Sequence, residues 1–352
     1  MNSTLNKTSQ YFRCVGHLYE SSLKREEADL KQRNEDGSEA PSVKGERIMG
    51  NIAVETDSGI HTFNIYAQNL TSKGEESPTW KMYCEAMEWN PKVNGNSEME
   101  PTLVNVEGTV EINDYVSPTT KEVSSSLRWR VSRANTKADP EDVRGTTLKA
   151  TLFIGNIRQE VKNEEETGRL LVTLYGVNGK GECFPVEAII DAEMADDFTD
   201  AYEIGMTVPF EFELKSRQAG GNTNATMKFG HKSKGPAVNQ SYSISELFLV
   251  GGSEEIEEPD ELTVEDENGN EVEVKTQWID PKVMKKAVKL RQERLDQLKA
   301  EGPKTKSKSA SSSLAAAKKA SKTVSSSKFG KISAKAVDDD FADFGDDDDL
   351  PF

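Results

Sequence analysis

Short stretches of β-branched, aromatic and other apolar residues recur in the first part of the chain, a composition typical of strands. The stretches with this pattern, each bounded by polar or Gly-containing segments, are residues 11–20, 47–56, 60–67, 103–116 and 127–132. The segment 79–89 differs, because Trp80, Tyr83 and Met87 recur at helical spacing after Thr79, a residue suited to an N-cap. The charged stretch 21–46 is interrupted by Gly and Pro and is predicted to be a loop, with room for a short helix over 23–32.

The same order of elements recurs further along the chain. Strands are predicted over 147–161, 169–176, 182–190, 207–214 and 243–250, with a short helix over 194–202. Two runs of strand, strand, strand, helix, strand, strand predict a mainly β protein with two OB-fold-like barrels in tandem, in which a helix plugs each barrel. The barrels would occupy residues 1–135 and 147–252, joined by a linker over 136–146. A single larger sandwich is the alternative.

Beyond the second predicted barrel the chain changes character. Residues 253–280 form an acidic connector, and Asp280 and Pro281 then provide the start of an amphipathic helix over 281–302. Its apolar stripe is predicted to pack on the second barrel, and self-association into a homo-oligomer is the alternative. Residues 303–336 are mostly Ser, Ala and Lys, a composition typical of flexible linkers, and residues 337–352 form an acidic tail predicted to be disordered.

Composition refines this picture without reversing it. The formal net charge is −17, hydrophobic residues make up 35%, and the mean hydropathy is −0.67. Many of the acids lie in the connector and the tail, so a basic groove elsewhere could still attract phosphate, because binding depends on the local field. Three separated cysteines and a polar start indicate a reducing cytoplasm. No apolar run is long enough to predict a membrane span.

No catalytic signature is visible in the sequence. There is no phosphate-binding Gly-x-x-x-x-Gly-Lys-Ser/Thr motif and no Gly-x-Ser-x-Gly elbow. Cys14 and His17 lie three apart in a predicted strand and should point to opposite faces, which does not favour a zinc site. The sequence therefore predicts a non-enzymatic protein with no cofactor and no metal.

One basic and aromatic segment is the best candidate for nucleic-acid binding. The long loop before the last predicted strand combines lysines with an aromatic ring, and two cations precede it at the end of a strand. Lysine neutralises phosphate and a ring can stack on any base, although a solvated loop is the alternative. The candidate residues are Lys215, Arg217, Lys228, Phe229, His231, Lys232 and Lys234.

The first predicted barrel offers a smaller set of candidates. In a strand, Arg128 and Arg130 share one face and Trp129 takes the other. We therefore expect Trp129 in the core and the two arginines on a DNA-binding face. Tyr66 lies opposite the apolar face of its own strand, where it could stack on a base.

The tail carries the most specific signal in the chain. It ends in acids followed by Leu, Pro and a terminal Phe, and a segment that cannot fold has no core in which to bury these apolar residues. This ending resembles the C-terminal tip of bacterial single-stranded-DNA-binding proteins, and the layout resembles that of larger bacteriophage members. The resemblance implies that the tip recruits replication, recombination and repair proteins. The residues that carry it are Asp346, Asp347, Asp348, Asp349, Leu350, Pro351 and Phe352.

The resemblance and the barrels together favour one function. We expect a protein that coats single-stranded DNA without sequence preference and recruits partner proteins through its tip. The first alternative is a replication or recombination adaptor that uses the same tail without gripping DNA. A DNA enzyme that holds metal with the acidic connector is a weaker alternative, because no scaffold fixes the positions of those acids.

Removing Phe352 alone should weaken capture of the partner about 10–100-fold. The reason is that burying a Phe side chain contributes about 1.5–3 kcal/mol, and each 1.4 kcal/mol is about a factor of ten. DNA binding should change little, since every aspartate of the tail remains. A pull-down from cell extract compares the two forms, and equal retention of the same proteins would contradict a role for the tip.

Overall fold

The structure is a computed structural model that describes most of the chain up to residue 302. The described residues are 5–34, 38–117, 120–139, 142–162, 164–219, 242–259, 263–265, 271–273 and 276–302. Side chains are described for all of these except 217–219, 242–243, 263–265 and 271–273.

An 11-stranded sheet dominates the described fold. Its strands are β1 Gln10–Ser21, β2 Lys24–Arg33, β3 Glu39–Thr56, β4 Gly59–Gln68, β5 Leu103–Val116, β6 Val123–Asn135, β7 Thr146–Lys162, β8 Glu165–Val177, β9 Cys183–Ile190, β10 Thr207–Ala219 and β11 Tyr242–Gly252. The helices are α1 Trp80–Ala86, a 3-10 turn Ala192–Met194, α2 Ala195–Ala201 and α3 Pro281–Glu301. A separate ribbon pairs β12 Thr263–Glu265 with β13 Glu271–Glu273.

Strands of the first half close into a ring of pairings, here called the first ring. β1 pairs with β3, β3 with β4, and β5 with both β6 and β1, all antiparallel. A parallel bridge between Asn64 of β4 and Arg130 of β6 closes the circle. The helix α1 lies in the chain between β4 and β5, and its buried Tyr83 donates a hydrogen bond of 2.9 Å to the carbonyl of Val131.

The second half repeats this arrangement as the second ring. β7 pairs with β8 and β10, β8 with β9, and β10 with β11, all antiparallel. A parallel bridge from Phe248 of β11 to Ile189 of β9 closes it. The helix α2 stands between β9 and β10, as α1 stands between β4 and β5. Apart from the additional strand β2 in the first half, the predicted order of elements therefore recurs in the two halves.

The two rings are joined through backbone pairing. The first half of β1 pairs antiparallel with the first half of β7, from Gln10 opposite Ala150 to Cys14 opposite Thr146. The later part of β1, from His17 to Ser21, pairs with β3 instead. Sheet hydrogen bonding therefore continues from one ring into the other, and a single apolar core cluster contains buried residues of both.

Alternation explains which side chains fill the rings. In β4, residues 61, 63, 65 and 67 are buried, and the residues between them are half-buried or exposed. Phe63 stacks on Phe12 with ring centroids 5.2 Å apart, and Trp129 meets Phe12 edge-on at 5.2 Å. These three aromatic side chains pack together in the core of the first ring, and Trp129 is only 2% exposed. The placement of Trp129 in the core is as expected from its position in the strand.

The prediction of a loop over residues 21–46 is wrong. The structure has β2 and the first part of β3 there, paired as a hairpin arm beside the first ring. Cross-strand ion pairs join Arg25 to Glu46 and Lys44 to Asp29, the latter at 2.7 Å. High charge suggested a solvated loop, but opposite charges placed across a strand pair favour the pairing. The short helix over 23–32 is likewise not formed.

The helix α3 begins as the sequence predicts, at Asp280, whose carboxylate accepts a hydrogen bond of 2.7 Å from the backbone N–H of Lys282. Met284 and Val288 pack with Phe153, Tyr175 and Val177 of the second ring. Arg291 reaches the first ring, where its guanidinium donates to both carboxylate oxygens of Asp114 at 2.7 and 3.0 Å. The helix therefore contacts both rings.

None of the described helices is both long and apolar enough to cross a membrane.

The buried His61 should make the folded state sensitive to acid. His61 is 1% exposed, and burial lowers its pKa from an ordinary value near 6.5 to about 4. Between these values the unfolded chain binds a proton that the folded chain does not, so stability should fall as the pH falls from about 6.5 to about 4. The loss should reach at most about 3 kcal/mol, at 1.36 kcal/mol per unit of pKa. Urea unfolding of the parent and His61→Gln across this range tests it, and parallel pH profiles would contradict it.

The contact of α3 with the first ring should contribute strongly to stability. The side chains of Arg291 and Asp114 are 8% and 4% exposed, so Arg291→Met would leave a buried carboxylate without its partner. We expect a loss of about 3–5 kcal/mol in the free energy of unfolding. The matched control is Arg294→Met, which removes an exposed ion pair with Glu182 and should cost about 1 kcal/mol or less. Urea titrations measure both losses. Equal losses in the two variants would contradict the larger contribution expected of the buried ion pair.

Candidate nucleic-acid interface

A basic pocket lies on the outer side of the second ring, beside the turn between β7 and β8. It is a cavity of about 330 Å³. Its walls carry three cations, one hydroxyl and one carboxylate around an aromatic ring, namely Lys162, Arg169, Lys215, Ser216, Glu246 and Phe248.

Strand register brings these residues together from four strands. In the β10–β11 pair, Lys215 lies opposite Glu246 and Glu213 lies opposite Phe248. Arg169 enters from β8, and Lys162 is the last residue of β7. Because residues directly opposite across an antiparallel pair project on the same side, Lys215 and Phe248 reach the same pocket.

Two of the cations stand over the aromatic ring. The ammonium of Lys215 lies 4.4 Å from the centroid of Phe248, and the guanidinium carbon of Arg169 lies 5.4 Å from it. Attraction between the cations and the ring quadrupole holds both side chains at the pocket. Phe248 is itself only 5% exposed, so a base could stack on it only if a cation moved aside. The pocket as it stands is better suited to a phosphate than to a base.

A buried carboxylate supports the cations from behind. Glu160 accepts hydrogen bonds from Lys162 and Thr167, and its carboxylate is 2.7 Å from the Lys162 ammonium and 3.9 Å from Arg169. Burial alone would raise the pKa of Glu160, but the hydrogen bonds from Lys162 and Thr167 and the two nearby positive charges hold it below its ordinary value. Glu160 is therefore ionised at neutral pH and fixes the positions of Lys162 and Arg169.

Further carboxylates limit the positive field of the pocket. Arg169 pairs with Asp191 at 2.9 Å, and Lys215 is 3.4 Å from Glu213. All three cations are partly exposed, with side-chain exposures between 31% and 51%. The three cations therefore lie among four carboxylates, counting Glu160 and Glu246. A phosphate would be attracted only through direct contact with the partly exposed cations, and salt should weaken that attraction.

The outer face of the first ring carries the other described candidates. Tyr66 is 43% exposed, and its hydroxyl accepts a hydrogen bond of 2.7 Å from the Gln68 amide. Arg130 is exposed beside Asn64 of β4 and pairs with Glu111 at 3.1 Å. Arg128 is exposed on the same face of β6. The strand parity that separates the two arginines from Trp129 is as predicted, and the DNA-binding role of this face stays a prediction.

The basic pocket and the first ring meet at one point. The backbone N–H of Ser216 donates a hydrogen bond of 2.7 Å to the carbonyl of Ser58, in the turn between β3 and β4. Gly59 completes that turn with a φ of +123°, and a Cβ there would lie 2.2 Å from the Ser216 carbonyl oxygen. Only glycine fits such a close approach, so this turn can lie directly against β10.

Several predicted residues lie outside the part of the chain that the structure describes. They are the loop residues Lys228, Phe229, His231, Lys232 and Lys234, and the side chain of Arg217. The tail from Asp346 to Phe352 also lies outside it. Of the candidates predicted on the second ring, Lys215 alone has a described side chain.

Sequence reasoning missed Lys162, Arg169 and Phe248. Lys162 follows the strand predicted over 147–161, and Arg169 begins the strand predicted over 169–176. Both lie beside an acidic stretch of sequence, so their charges looked solvated. Phe248 belongs to an apolar strand and looked like an ordinary core residue. The available signal was the alternation of Glu213, Lys215 and Arg217 along one face of β10, which marks a polar outer face that its partner strand must share.

The described residues contain no group of three or more His, Cys, Asp or Glu side chains placed to hold a metal ion. Cys14 is buried in β1, and burial raises the pKa of its thiol to about 12. His17, on the other side of the strand, has its Nδ1 at 3.1 Å from the carbonyl of Pro101.

The fold and the pocket together define a mainly β protein with two strand rings and a basic pocket on the second. The chain belongs to the YorF family, whose model matches residues 18–282. No curated protein matches the chain.

Solved structures of a single-stranded DNA binding protein from Thermus aquaticus are similar to the chain at low identity. The wild-type structure has 9% identity and a TM-score of 0.37, and covers 72% of this chain and 97% of its own. A deletion mutant of that protein has 11% identity and a TM-score of 0.36, and covers 72% of this chain and 99% of its own.

Proposed function

We propose that this protein binds single-stranded DNA on two OB-fold barrels, without catalysing a reaction, and recruits replication, recombination and repair proteins through its C-terminal tip. The observation that carries the proposal is the basic pocket of the second ring, where Lys162, Arg169 and Lys215 surround Phe248. Cations that neutralise phosphate, placed beside aromatic side chains, are the usual means of holding a single strand.

The strand rings support the assignment of OB-fold barrels. Each ring has five strands in which the third and fifth pair in parallel, and a helix lies between the third and fourth. An OB-fold is a five-stranded Greek-key barrel that binds oligonucleotides on the face of strands two and three and on two flanking loops. In the second ring those strands are β8 and β9, and the flanking loops follow β7 and β10.

The position of the basic pocket supports this assignment. Lys162 ends the first strand of the ring beside one flanking loop, and Arg169 lies on the second strand. Lys215 lies on the fourth strand, and the sequence after that strand contains the predicted loop residues Lys228 to Lys234. The lysines predicted from sequence would therefore extend the same basic surface.

The first ring offers a second contact surface in the corresponding place. Its second and third strands are β3 and β4, and Tyr66 and Asn64 project from β4 next to Arg130. Tyr66 could stack on a base because it is exposed and its hydroxyl is anchored by Gln68. A strand bound at both surfaces would gain avidity, because the second contact is intramolecular.

Preference for single strands follows from how the contacts are made. A single strand can turn its bases toward exposed aromatic rings, whereas the bases of a duplex stay stacked within it. The carboxylates around the pocket, Glu213, Glu246 and Asp191, would also repel the dense phosphates of a duplex.

The recruiting role rests on the sequence of the tip. Acids followed by Leu350, Pro351 and Phe352 resemble the tips of bacterial single-stranded-DNA-binding proteins. A Phe anchor with a nearby carboxylate suits a partner that has an apolar pocket rimmed by Arg or Lys.

The protein should bind oligo-dT more tightly than duplex of the same length, with affinity that falls as salt rises. Replacing Lys215 and Arg169 together by Ala should weaken binding and reduce the salt slope by about 0.7 for each phosphate that is no longer neutralised. Fluorescence titration at several salt concentrations measures both effects.

The matched control is Lys289→Ala, an exposed lysine on α3. That helix packs on Tyr175 and Val177, near the end of β8 opposite to Arg169. Equal affinity for duplex and single strand would contradict the proposal. Absence of any DNA binding would instead favour an adaptor that works through the tail.

A further inference from the structure

A cleft of about 260 Å³ lies between the two rings and adjoins the basic pocket. One wall is the start of β6 in the first ring, including Ser126, Leu127 and Trp129. The other wall belongs to the second ring and includes Leu171, Glu187 and Ile189. Neither ring alone would form this cleft.

The cleft and the basic pocket share side chains. Glu246 lines both of them. Glu160 lines the cleft and forms ion pairs with Lys162 and Arg169, which line the pocket. A cationic site and a largely apolar site therefore lie side by side, which is the arrangement of a phosphate and its base in a nucleotide.

One residue that lines the cleft has a buried donor without a partner. Trp129 lines the cleft and is 98% buried, and its indole Nε1 has no hydrogen-bond partner among the described residues. Burying an N–H without a partner is unfavourable, so an acceptor from a ligand would stabilise this site. The opposite wall presents the exposed Glu187 carboxylate, whose oxygens are hydrogen-bond acceptors.

Size and polarity narrow the class of ligand. Apolar walls with a few polar groups suit a flat heterocycle. The groups on the walls would match a base that donates to a carboxylate and accepts from an indole N–H. Cytosine, adenine and guanine have an exocyclic amino group as such a donor, whereas thymine presents carbonyl oxygens in its place.

We propose that the cleft between the rings binds one base of a single strand whose phosphate lies in the basic pocket, and that it prefers bases with an exocyclic amino group. This rests on the proposed single-strand binding and adds a base preference to it. The apolar faces of Leu127, Leu171 and Ile189 enclose the ring of the base. Glu187 accepts from its amino group, and Trp129 donates to a ring acceptor or carbonyl.

The test compares oligo-dC with oligo-dU of equal length, because these pyrimidines differ at the amino or carbonyl group of position 4 and at the adjacent ring nitrogen. The parent protein should bind oligo-dC about tenfold more tightly, within the range that a specific contact to a base edge contributes. Oligo-dT should behave like oligo-dU, which separates the effect of the methyl group. Titrations with the full-length protein at one fixed salt concentration measure all three affinities.

Two variants on opposite walls assign the preference to the cleft. Glu187→Gln offers an amide N–H to the uracil carbonyl and should reduce the dC preference severalfold. Ser126→Phe fills the cleft from the first ring, so it should lower the affinity for oligo-dC to that for oligo-dU and remove the preference. The control Glu98→Gln removes one exposed carboxylate of the loop before β5 and should leave the preference unchanged.

The affinities of the parent and the variants together support or overturn the base site in the cleft. A dC preference that both wall variants reduce and the control retains supports the cleft. Equal affinities of the parent for oligo-dC and oligo-dU overturn the base site, while tight binding of both leaves the proposed function standing. A preference that survives both variants places base recognition elsewhere and also overturns the proposal. Absence of binding to all three oligonucleotides overturns the proposed function itself.

Discussion

The antiparallel pairing of β1 with β7 is the interaction on which the arrangement of the two rings depends. Each of these strands is the first strand of its ring. Each pairs along part of its length with the other ring and along part with strands of its own ring. Gln10 to Cys14 pair with the start of β7, whereas His17 to Ser21 pair with β3 inside the first ring. Backbone hydrogen bonds are short and directional, so a sheet that continues across the joint fixes the angle between the rings far better than a linker would. The segment 136–146, predicted as a linker, thus connects two units that are already bonded through other residues.

Two further contacts act at the same joint. The Ser216–Ser58 hydrogen bond holds the basic pocket against a turn of the first ring, and Arg291 ties α3 to Asp114. These contacts come from residues far apart in sequence, so each can form only once both rings are built. The cleft between the rings is a product of this arrangement, because its walls belong to different rings. The relative position of the rings thus creates a cleft that neither ring would form by itself.

The acidic balance of the chain and its basic pocket are compatible because charge acts locally. The net charge is −17, yet Glu160 sits behind Lys162 and Arg169 and holds them toward the pocket. A buried carboxylate in this position weakens the positive potential of the pocket. It also restricts the conformations of the two long side chains, which would lower the entropy lost on binding a phosphate. Acids nearby also make weak, nonspecific attraction to polyanions less favourable. The surface is therefore expected to select by fit rather than by total charge.

Sequence alone determined the features that depend on near neighbours along the chain. Runs of β-branched, aromatic and apolar residues predicted most strands, including β5 at its full length. Strand parity placed Trp129 inside and its flanking arginines outside. Asp280 and Pro281 marked the start of α3, because capping is a local interaction. The hairpin arm of β2 and β3 was missed, since its charges are satisfied only across the strand pair. The meeting of Arg169, Lys215 and Phe248, and the cleft beside them, were decided by tertiary structure. Strand register and ring closure bring together side chains from four strands, and no local pattern in one strand encodes the position of another.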